Sequence, residues 1–335
     1  VIDEACYAQP SDGRYFWVED CLKALQQLAN LHRRTLGTRI IGITGTNGKT
    51  TTKELMAAVL SKQFNILYTQ GNLNNQIGVP LTLLKLRPEH QLAVIEMGAS
   101  HPGDIQELVE IAEPDCGLIT NVGKAHLQGF GSFEGVIRTK GELYNFLRTR
   151  PDAFIFLHDD NPYLKEIAQG LKAIHYGSQS DLFVSGKSTA NSPFLAFEWQ
   201  ADGKTHSVQT QLIGDYNLPN ALAAVTVGRY FEVPDDLICE ALSQYAPQNN
   251  RSQLKETARN TLIIDAYNAN PSSMQVSIDN FHRMKAADKL LILGDMRELG
   301  NDSEAEHQRI IDQLTEYGFT QVMLVGPLFA ATKHP

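Results

Sequence analysis

The segment IIGITGTNGKTTTKE, residues 40–54, constrains the fold of this chain more than any other. Residues 40–43 are apolar like the end of a buried strand, glycines relieve the turn that follows, and Lys49-Thr50 begin a helical pattern. Backbone N–H groups and a helix N-terminus that face the same point bind anions, and a lysine adds positive charge. We therefore expect a phosphate-binding loop here. Its spacing differs from the common GxxxxGK[ST] motif, because Ile43 occupies the first glycine position.

Apolar runs of strand length alternate with helical patterns along most of the chain. This alternation predicts an α/β fold with a P-loop-type, mostly parallel central sheet and helices on both faces. Strands are predicted at about residues 39–43, 65–68, 92–96, 116–120 and 153–157, with helices at about 49–62, 102–112, 132–148 and 161–169. Residues 194–199 and 206–212 flank a turn and predict a hairpin that forms an antiparallel edge of this sheet.

The chain divides at a polar break, residues 246–250, after which the alternation begins again. Strands near residues 261–265, 289–293 and 321–325 predict a second, Rossmann-like α/β domain of about three parallel strands, which looks incomplete. Residues 1–37 hold one amphipathic helix, at 18–33, which is too little for a core of its own. We therefore expect three parts: residues 1–37 as the remainder of an earlier domain, 38–247 as a central domain and 248–335 as a C-terminal domain.

Composition argues against several classes of protein. The 335 residues are 42% hydrophobic and 20% charged, which is ordinary for a globular protein. A net charge of −9 gives no general electrostatic reason to bind nucleic acid. No apolar run approaches the roughly 18 residues of a membrane span, and the four cysteines lack metal-binding spacing. We expect a cytoplasmic monomer without nucleic-acid or membrane partners.

Chemically useful side chains follow the predicted strands. Glu96 ends one strand, His126 lies just beyond another, and Asp265 ends the first strand of the second domain. Ligands of open parallel sheets bind beyond the carboxyl ends of the strands, where the loop residue Thr50 should also lie. Carboxylate and hydroxyl oxygens suit Mg²⁺, with the histidine as an unusual addition. Each residue alone could be a cap, an ion-pair partner or a surface group, but together with the loop they favour a functional site.

Lys140 falls in the middle of an apolar helical stripe within residues 132–148. Its stem could be buried while the ammonium reaches water. Alternatively, full burial would depress its pKa and give a neutral amine. The sequence leaves both open, as it does for the asparagine-rich segments 71–84 and 214–220, which suit either a polar ligand or ordinary turns and caps.

With these residues in place, the sequence resembles the Mur ligases, the ATP-dependent amide-forming enzymes of peptidoglycan synthesis. GTNGKTT is similar to the GTxGKT loop of that superfamily, which includes folylpolyglutamate synthetases. GNLNNQIGVP, EMGAS, NVGKAHLQGFGS, RTKGE and DAYNANPSSM are similar to the D-alanyl-D-alanine-adding branch. The resemblance implies addition of D-alanyl-D-alanine to UDP-N-acetylmuramoyl-tripeptide through an acyl phosphate. The alternatives are a folylpolyglutamate synthase-like or other Mur-type ligase, or a non-catalytic nucleotide-binding fragment.

The same resemblance implies roles for individual residues and domains. The ATP-binding residues would be Gly45, Thr46, Asn47, Gly48, Lys49, Thr50, Thr51, Asn217, Asn220, Arg251 and Asp265. The Mg²⁺ ligands would be Thr50, Glu96, His126 and Lys140, the last as a carbamate. The catalytic residues would be Lys49, Glu96, His126, Lys140 and Arg251. The muramyl-peptide substrate would contact Asn72, Asn74, Asn75, Tyr267 and Asn268. Residues 1–37 would belong to a UDP-substrate domain and its linker, and residues 38–247 would bind ATP.

Overall fold

The structure is a computed structural model that describes residues 1–7, 12–190, 193–248, 250–286 and 288–333. Within these residues the central sheet contains β1 (Arg39–Thr44), β2 (Ile66–Tyr68), β3 (Leu92–Glu96), β4 (Cys116–Ile119), β5 (Phe154–His158), β6 (Ala173–Gly177), β7 (Val184–Ala190), β8 (Phe194–Ala201) and β9 (Lys204–Ile213). The strand order is β2-β3-β1-β4-β5-β6-β7-β8-β9. Pairing is parallel from β2 to β7 and antiparallel from β7 to β9. The predicted mostly parallel sheet with an antiparallel edge is confirmed.

Helices cover both faces of this sheet and build the C-terminal part. The helices are α1 (Cys21–Leu36), α2 (Lys49–Leu60), α3 (Gly78–Leu83), α4 (Asp104–Ala112), α5 (Leu127–Phe130), α6 (Phe133–Arg148), α7 (Pro162–Ile167), α8 (Leu218–Tyr230), α9 (Asp235–Gln244), α10 (Pro271–Arg283), α11 (Ser303–Glu316) and α12 (Pro327–Ala330). One core lies between the sheet and α2, α8 and α9, and a second lies between the sheet and α1, α3, α4, α6 and α7. Among the helices described, none is long and apolar enough to cross a membrane.

The C-terminal part differs from the prediction in its strand pairing. β10 (Gln253–Glu256) pairs antiparallel with β11 (Thr261–Ile264), while β12 (Leu291–Gly294) pairs parallel with β13 (Val322–Val325). The expectation of three parallel strands was therefore wrong for β11. The sequence QLKE of β10 has no apolar run to mark it as a strand, and a short polar turn joins it to β11. α10, α11 and the inner face of β12 and β13 form the core of this part. Residue 249 of the predicted polar break lies outside the described residues.

Two strands of the central sheet, β6 and β7, were not predicted. β7 has the polar sequence VSGKSTA and a register shift against β8, so periodicity gives no signal. Its place is fixed by pairing with β6 and β8, which is a tertiary effect. α1 also begins three residues later than predicted, because the side chain of Asp20 accepts the backbone N–H of Lys23 and caps the helix there.

Candidate active site

The loop between β1 and α2 is built so that only glycine fits at two positions. Gly45 has φ +142° and Gly48 has φ +78°. A Cβ on Gly45 would lie 2.0 Å from Oγ1 of Thr120, and one on Gly48 would lie 2.5 Å from Oδ1 of Asn220. The loop backbone is also tied to β4, since the Asn47 N–H donates to the side chain of Asn121 over 3.0 Å. These contacts hold the N-terminus of α2 open toward the carboxyl edge of the sheet, which is the geometry of a phosphate site.

Lys49 lies at the mouth of this loop. Its ammonium donates to the carbonyls of Gly45 at 2.7 Å and Thr46 at 3.0 Å. Burial lowers the pKa of Lys49 to about 8; Glu96 opposes the shift, and Arg251 adds to it. An anion at the loop would compete for the ammonium and favour its charged form. The residue is therefore arranged to respond to a phosphate.

Glu96 is a buried carboxylate that contacts the start of α2, directly after the loop. It stands opposite Ile43 in the pairing of β3 with β1 and is 1% exposed. Its Oε1 accepts from the Thr50 hydroxyl at 3.2 Å and from the Asn74 amide at 2.8 Å. Its Oε2 is buried and has no hydrogen-bond partner among the described residues. Burial of a carboxylate oxygen without a partner costs free energy, which indicates that this atom binds a ligand.

The donor set around Glu96 fits a magnesium ion. The free Oε2 of Glu96 and the Thr50 hydroxyl are oxygen donors of the kind Mg²⁺ prefers. Nowhere in the described ranges do three or more His, Cys, Asp or Glu side chains come close enough to hold a metal. Magnesium usually takes only one or two protein carboxylates and completes its shell with water and nucleotide phosphates, so the small donor set is consistent with it.

Lys140 is buried rather than snorkelling. The residue is 2% exposed, and its amine lies 3.4 Å from the carbonyl of Ala99 and 5.1 Å from the ring centroid of Phe130. Burial holds the pKa of Lys140 well below its ordinary value of 10.5, and the nearby charge of Lys49 adds to this effect. Of the two explanations that the sequence left open, the structure therefore favours the buried amine.

His126 contacts the C-terminal part instead of Glu96. It adopts a positive φ of 50°, and its Nδ1 forms a short contact with the carboxylate of Glu298. Burial lowers the pKa of His126, while Glu298 raises it in part. The structure thus brings Thr50 and Glu96 into direct contact but turns the His126 ring nitrogen toward Glu298. The four predicted metal ligands do not form one cluster in this arrangement.

A cleft of about 720 Å³ lies between the central and C-terminal parts. Its walls include most of the predicted site residues, namely Thr46, Asn47, Gly48, Lys49, Thr51, Asn74, Asn75, Glu96, His126, Asn217, Asn220, Arg251, Asp265, Tyr267 and Asn268. Thr50 and Lys140 lie behind this wall, in contact with Glu96 and Ala99. The carbonyl of Gly45 accepts a hydrogen bond from the Lys49 ammonium. Asn72 is exposed and lies outside the cleft.

The C-terminal side of the cleft carries a stacked arginine. The guanidinium of Arg251 lies 3.7 Å from the centroid of the Tyr267 ring, and no described residue forms a hydrogen bond with its buried Nε. Oδ1 of Asp265 accepts a hydrogen bond from the Ser252 N–H over 3.4 Å. Surrounding protein atoms desolvate the carboxyl group and raise its pKa, although the residue is still partly exposed to solvent. A cation and a carboxyl group thus face the phosphate loop from the other side.

Sequence reasoning missed the residues that join the two walls. The Asn270 amide donates to Oδ1 of Asn47 over 2.8 Å, and Ser272 accepts the Lys124 N–H over 3.1 Å. Asn270 also caps α10 through the Ser273 N–H, so the cap signal in NANPSS was visible but its second role was not. Across such a long sequence separation, no local pattern predicts a bond between two amides.

On the central side, the nucleotide-contacting asparagines predicted from the resemblance are already hydrogen-bonded to each other. The Asn217 amide donates to the Ile213 carbonyl over 2.9 Å, and the Asn220 amide donates to Oδ1 of Asn217 over 2.9 Å. Thr52 of α2 donates to Oδ1 of Asn220 over 3.1 Å. This chain of bonds fixes the start of α8 against the phosphate loop.

Comparisons with known proteins agree with this site. The sequence model of the Mur ligase middle domain matches residues 43–228, and that of the Mur ligase glutamate ligase domain matches residues 250–334. The UDP-N-acetylmuramoyl-tripeptide–D-alanyl-D-alanine ligase of Bacillus subtilis strain 168 is 36% identical over 327 residues, which are 92% of this chain and 69% of the relative.

Solved structures agree with the sequence relatives. A crystal structure of MurF from Acinetobacter baumannii has a TM-score of 0.87 at 32% identity, covering 96% of this chain and 72% of that one. MurF from Thermotoga maritima in complex with ADP has a TM-score of 0.87 at 27% identity, covering 98% and 76%. With family models matching both sides of the cleft, the chain belongs to the Mur ligase family.

Proposed function

We propose that this chain is an ATP-dependent ligase that adds D-alanyl-D-alanine to UDP-N-acetylmuramoyl-tripeptide in peptidoglycan precursor synthesis. The observation that carries the proposal is the 36% identity to the Bacillus subtilis ligase of that name, which extends over 92% of this chain and so includes both walls of the cleft. The fold alone would not be enough, because one fold serves many reactions. The phosphate loop, the buried Glu96 and the opposing Arg251 supply the matching site chemistry.

The phosphate end of ATP fits the loop at the N-terminus of α2. Lys49 would exchange its two carbonyl contacts for phosphate oxygens, and the backbone N–H groups of the loop would face the same anion. Arg251 approaches from the C-terminal side. Thr50 and Glu96 would hold Mg²⁺, which when bound neutralises developing charge on phosphate oxygens. The relative from Thermotoga maritima was solved with ADP, which supports nucleotide binding by this arrangement.

Lys140 supports a further element of the proposal, a lysine carbamate. Its amine is buried among apolar groups and has a depressed pKa, so the neutral form is accessible. The lone pair of a neutral amine adds to the carbon of CO₂, and loss of one proton from nitrogen leaves a carbamate anion. The change replaces a buried amine near Lys49 with an anion. The two oxygens of the carbamate would add negative charge behind the cleft wall, near the Ala99 carbonyl.

The proposed reaction has two chemical steps. In the first, an oxygen of the tripeptide carboxylate attacks the terminal phosphorus of ATP and the bond to ADP breaks. In the second, the dipeptide amine attacks the acyl carbon, loses a proton, and phosphate leaves. Lys49 and Arg251 face the negative charge that builds on phosphoryl oxygens in the first step. The bonds from Asn270 and Ser272 across the cleft hold its walls together, which favours exclusion of water from the acyl phosphate.

Phosphate release from ATP tests the function directly. We expect the purified protein to release phosphate only when UDP-N-acetylmuramoyl-tripeptide and D-alanyl-D-alanine are both present, because the acyl phosphate persists until the amine arrives. A matched control replaces the tripeptide by a tetrahydrofolate and the dipeptide by glutamate. Strong turnover with this pair, or with ATP alone, would contradict the proposal.

A further inference from the structure

His158 lines the cleft at a distance from the phosphate loop and has no role in the reaction described above. It ends β5, and its Nε2 lies 3.5 Å from Oδ2 of Asp160. Asp160 is fixed in turn by Ser178, whose N–H donates to Oδ2 at 2.9 Å and whose hydroxyl donates to Oδ1 at 2.8 Å. The imidazole stacks on the Tyr176 ring with centroids 5.3 Å apart and planes 15° apart. The ring therefore stacks on Tyr176 and has the Asp160 carboxylate beside one nitrogen.

The contact with Asp160 determines what His158 offers to the cleft. A carboxylate at Nε2 favours a proton on that nitrogen, which leaves a lone pair on Nδ1. None of the described residues donates a hydrogen bond to Nδ1. The neighbouring Asp159 does not compete for the ring, since its oxygens bind Lys165 and His175. Burial also lowers the pKa of His158, which keeps the acceptor form at neutral pH.

The strand pattern places His158 on the nucleotide side of the sheet. Alternate residues of a strand share a face, and Phe154 and Phe156 of β5 pack in the core beneath α2 and α8. His158 therefore emerges on the face where Asn217 and Asn220 begin α8. β5 lies two strands from β1, across β4, and strand spacing puts it about 10 Å from the phosphate loop. That distance is comparable to the reach of a nucleotide from its outer phosphates to its base.

We propose, on the basis of the ATP use proposed above, that His158 determines specificity for the nucleotide base, with its Nδ1 accepting a hydrogen bond from the exocyclic amine of adenine. Asp160 is a positioning residue that keeps the proton on Nε2. A 6-oxopurine presents a carbonyl oxygen where adenine presents the amine. Two acceptors would then face each other in a partly desolvated site, so hypoxanthine and guanine nucleotides bind more weakly.

Binding of ADP and IDP, measured by titration calorimetry, separates this role from packing. His158→Phe keeps a flat ring on Tyr176 but has no acceptor. We expect the wild-type protein to bind ADP about tenfold or more tightly than IDP, because the 6-oxo group leaves a buried acceptor unpaired. His158→Phe should lose about three- to tenfold in ADP affinity while IDP binding changes little. Asp160→Asn should also reduce the ADP preference, since the tautomer is no longer enforced.

His175 provides a matched control. It lies on the adjacent strand β6, binds Asp159 at 2.8 Å and does not line the cleft. His175→Phe should leave both affinities unchanged. An unchanged ratio of ADP to IDP affinity in His158→Phe would overturn the base-recognition role. Thermal melting identifies variants that fail to fold.

The assay needs no peptide substrate, so its outcome is separate from that of the ligase proposal. Discrimination of ADP from IDP without phosphate release in the ligase assay would support the role of His158 and contradict the proposed function. Ligase activity without discrimination of ADP from IDP would support the proposed function and contradict the role of His158. Failure of the wild-type protein to bind either nucleotide would overturn the role of His158 together with the nucleotide site.

Discussion

Lys140 offers the sharpest test of the site, because its burial affects stability and activity in opposite ways. The side chain is 2% exposed, and within the described residues its amine has one long hydrogen bond, 3.4 Å to the Ala99 carbonyl. Lys140→Met keeps an unbranched side chain of similar length and a good helix former while it removes the amine. We expect this variant to be more stable than the wild-type protein and inactive as a ligase.

The direction of the stability change follows from the lowered pKa of Lys140. Each unit by which burial depresses the pKa of Lys140 corresponds to about 1.4 kcal/mol of cost for the ammonium form. Loss of a poorly satisfied buried polar group alone is worth about 1–3 kcal/mol, so we expect a gain in that range at neutral pH. The unfolded chain binds the proton more tightly than the folded one. The cost is therefore complete below the folded-state pKa and disappears as the pH rises toward 10.5.

Urea unfolding across pH, in buffer depleted of CO₂, measures this difference. The stability gap between Lys140→Met and the wild-type protein should narrow as the pH rises, and added bicarbonate should alter the wild-type protein only. In the ligase assay, Lys140→Arg should fail because it keeps a positive charge, whereas Lys140→Ala should be partly rescued by a small carboxylate. Near-normal turnover of Lys140→Arg would refute the carbamate. A stability difference that does not depend on pH would refute the lowered pKa of Lys140.

Three further predictions concern the loop and the opposite wall. Lys49→Ala should lower the rate of phosphate release by about 10²–10³-fold. The ADP affinity of the wild-type protein, measured by calorimetry, should fall as the pH rises above about 8, because Lys49 loses its proton there. An ADP affinity that does not change with pH would contradict this. Asn270→Asp keeps the cap of α10 but loses the amide that donates to Asn47, so it should raise the KM for ATP without changing the melting temperature. Asn270→Ala removes the cap as well, so it should also lower the free energy of unfolding in urea by about 1 kcal/mol. Gly48→Ala should cost about 1–3 kcal/mol in the same assay, because of the positive φ and the contact with Asn220; full stability would show that the loop relaxes.

The sequence predicted those parts of the fold that local patterns determine. The parallel strands from β1 to β5 are apolar runs between helical patterns, and the phosphate loop lies between β1 and α2 as expected. β6, β7 and β10 were missed because their residues are mixed or polar and their positions depend on pairing with neighbours. The same reason hid the bond between Asn47 and Asn270, which lie 223 residues apart. Local periodicity contains no information about such partners.

The residues that break local rules are the ones that point to the chemistry. A lysine in the middle of an apolar stripe and a glutamate at the end of a buried strand both cost stability unless something else needs them. Among the described residues, Oε2 of Glu96 has no hydrogen-bond partner, and the Lys140 amine has the Ala99 carbonyl at 3.4 Å and the Phe130 ring at 5.1 Å, so protein partners offset these costs only in part. Both residues lie on the same side of the cleft as Lys49, whose charge lowers the pKa of Lys140. Glu96 also contacts Thr50 at the start of the helix that follows the phosphate loop. A divalent cation bound at Oε2 of Glu96, with a phosphate in the loop, would offset the cost of burying this carboxylate, which argues for a phosphoryl-transfer site.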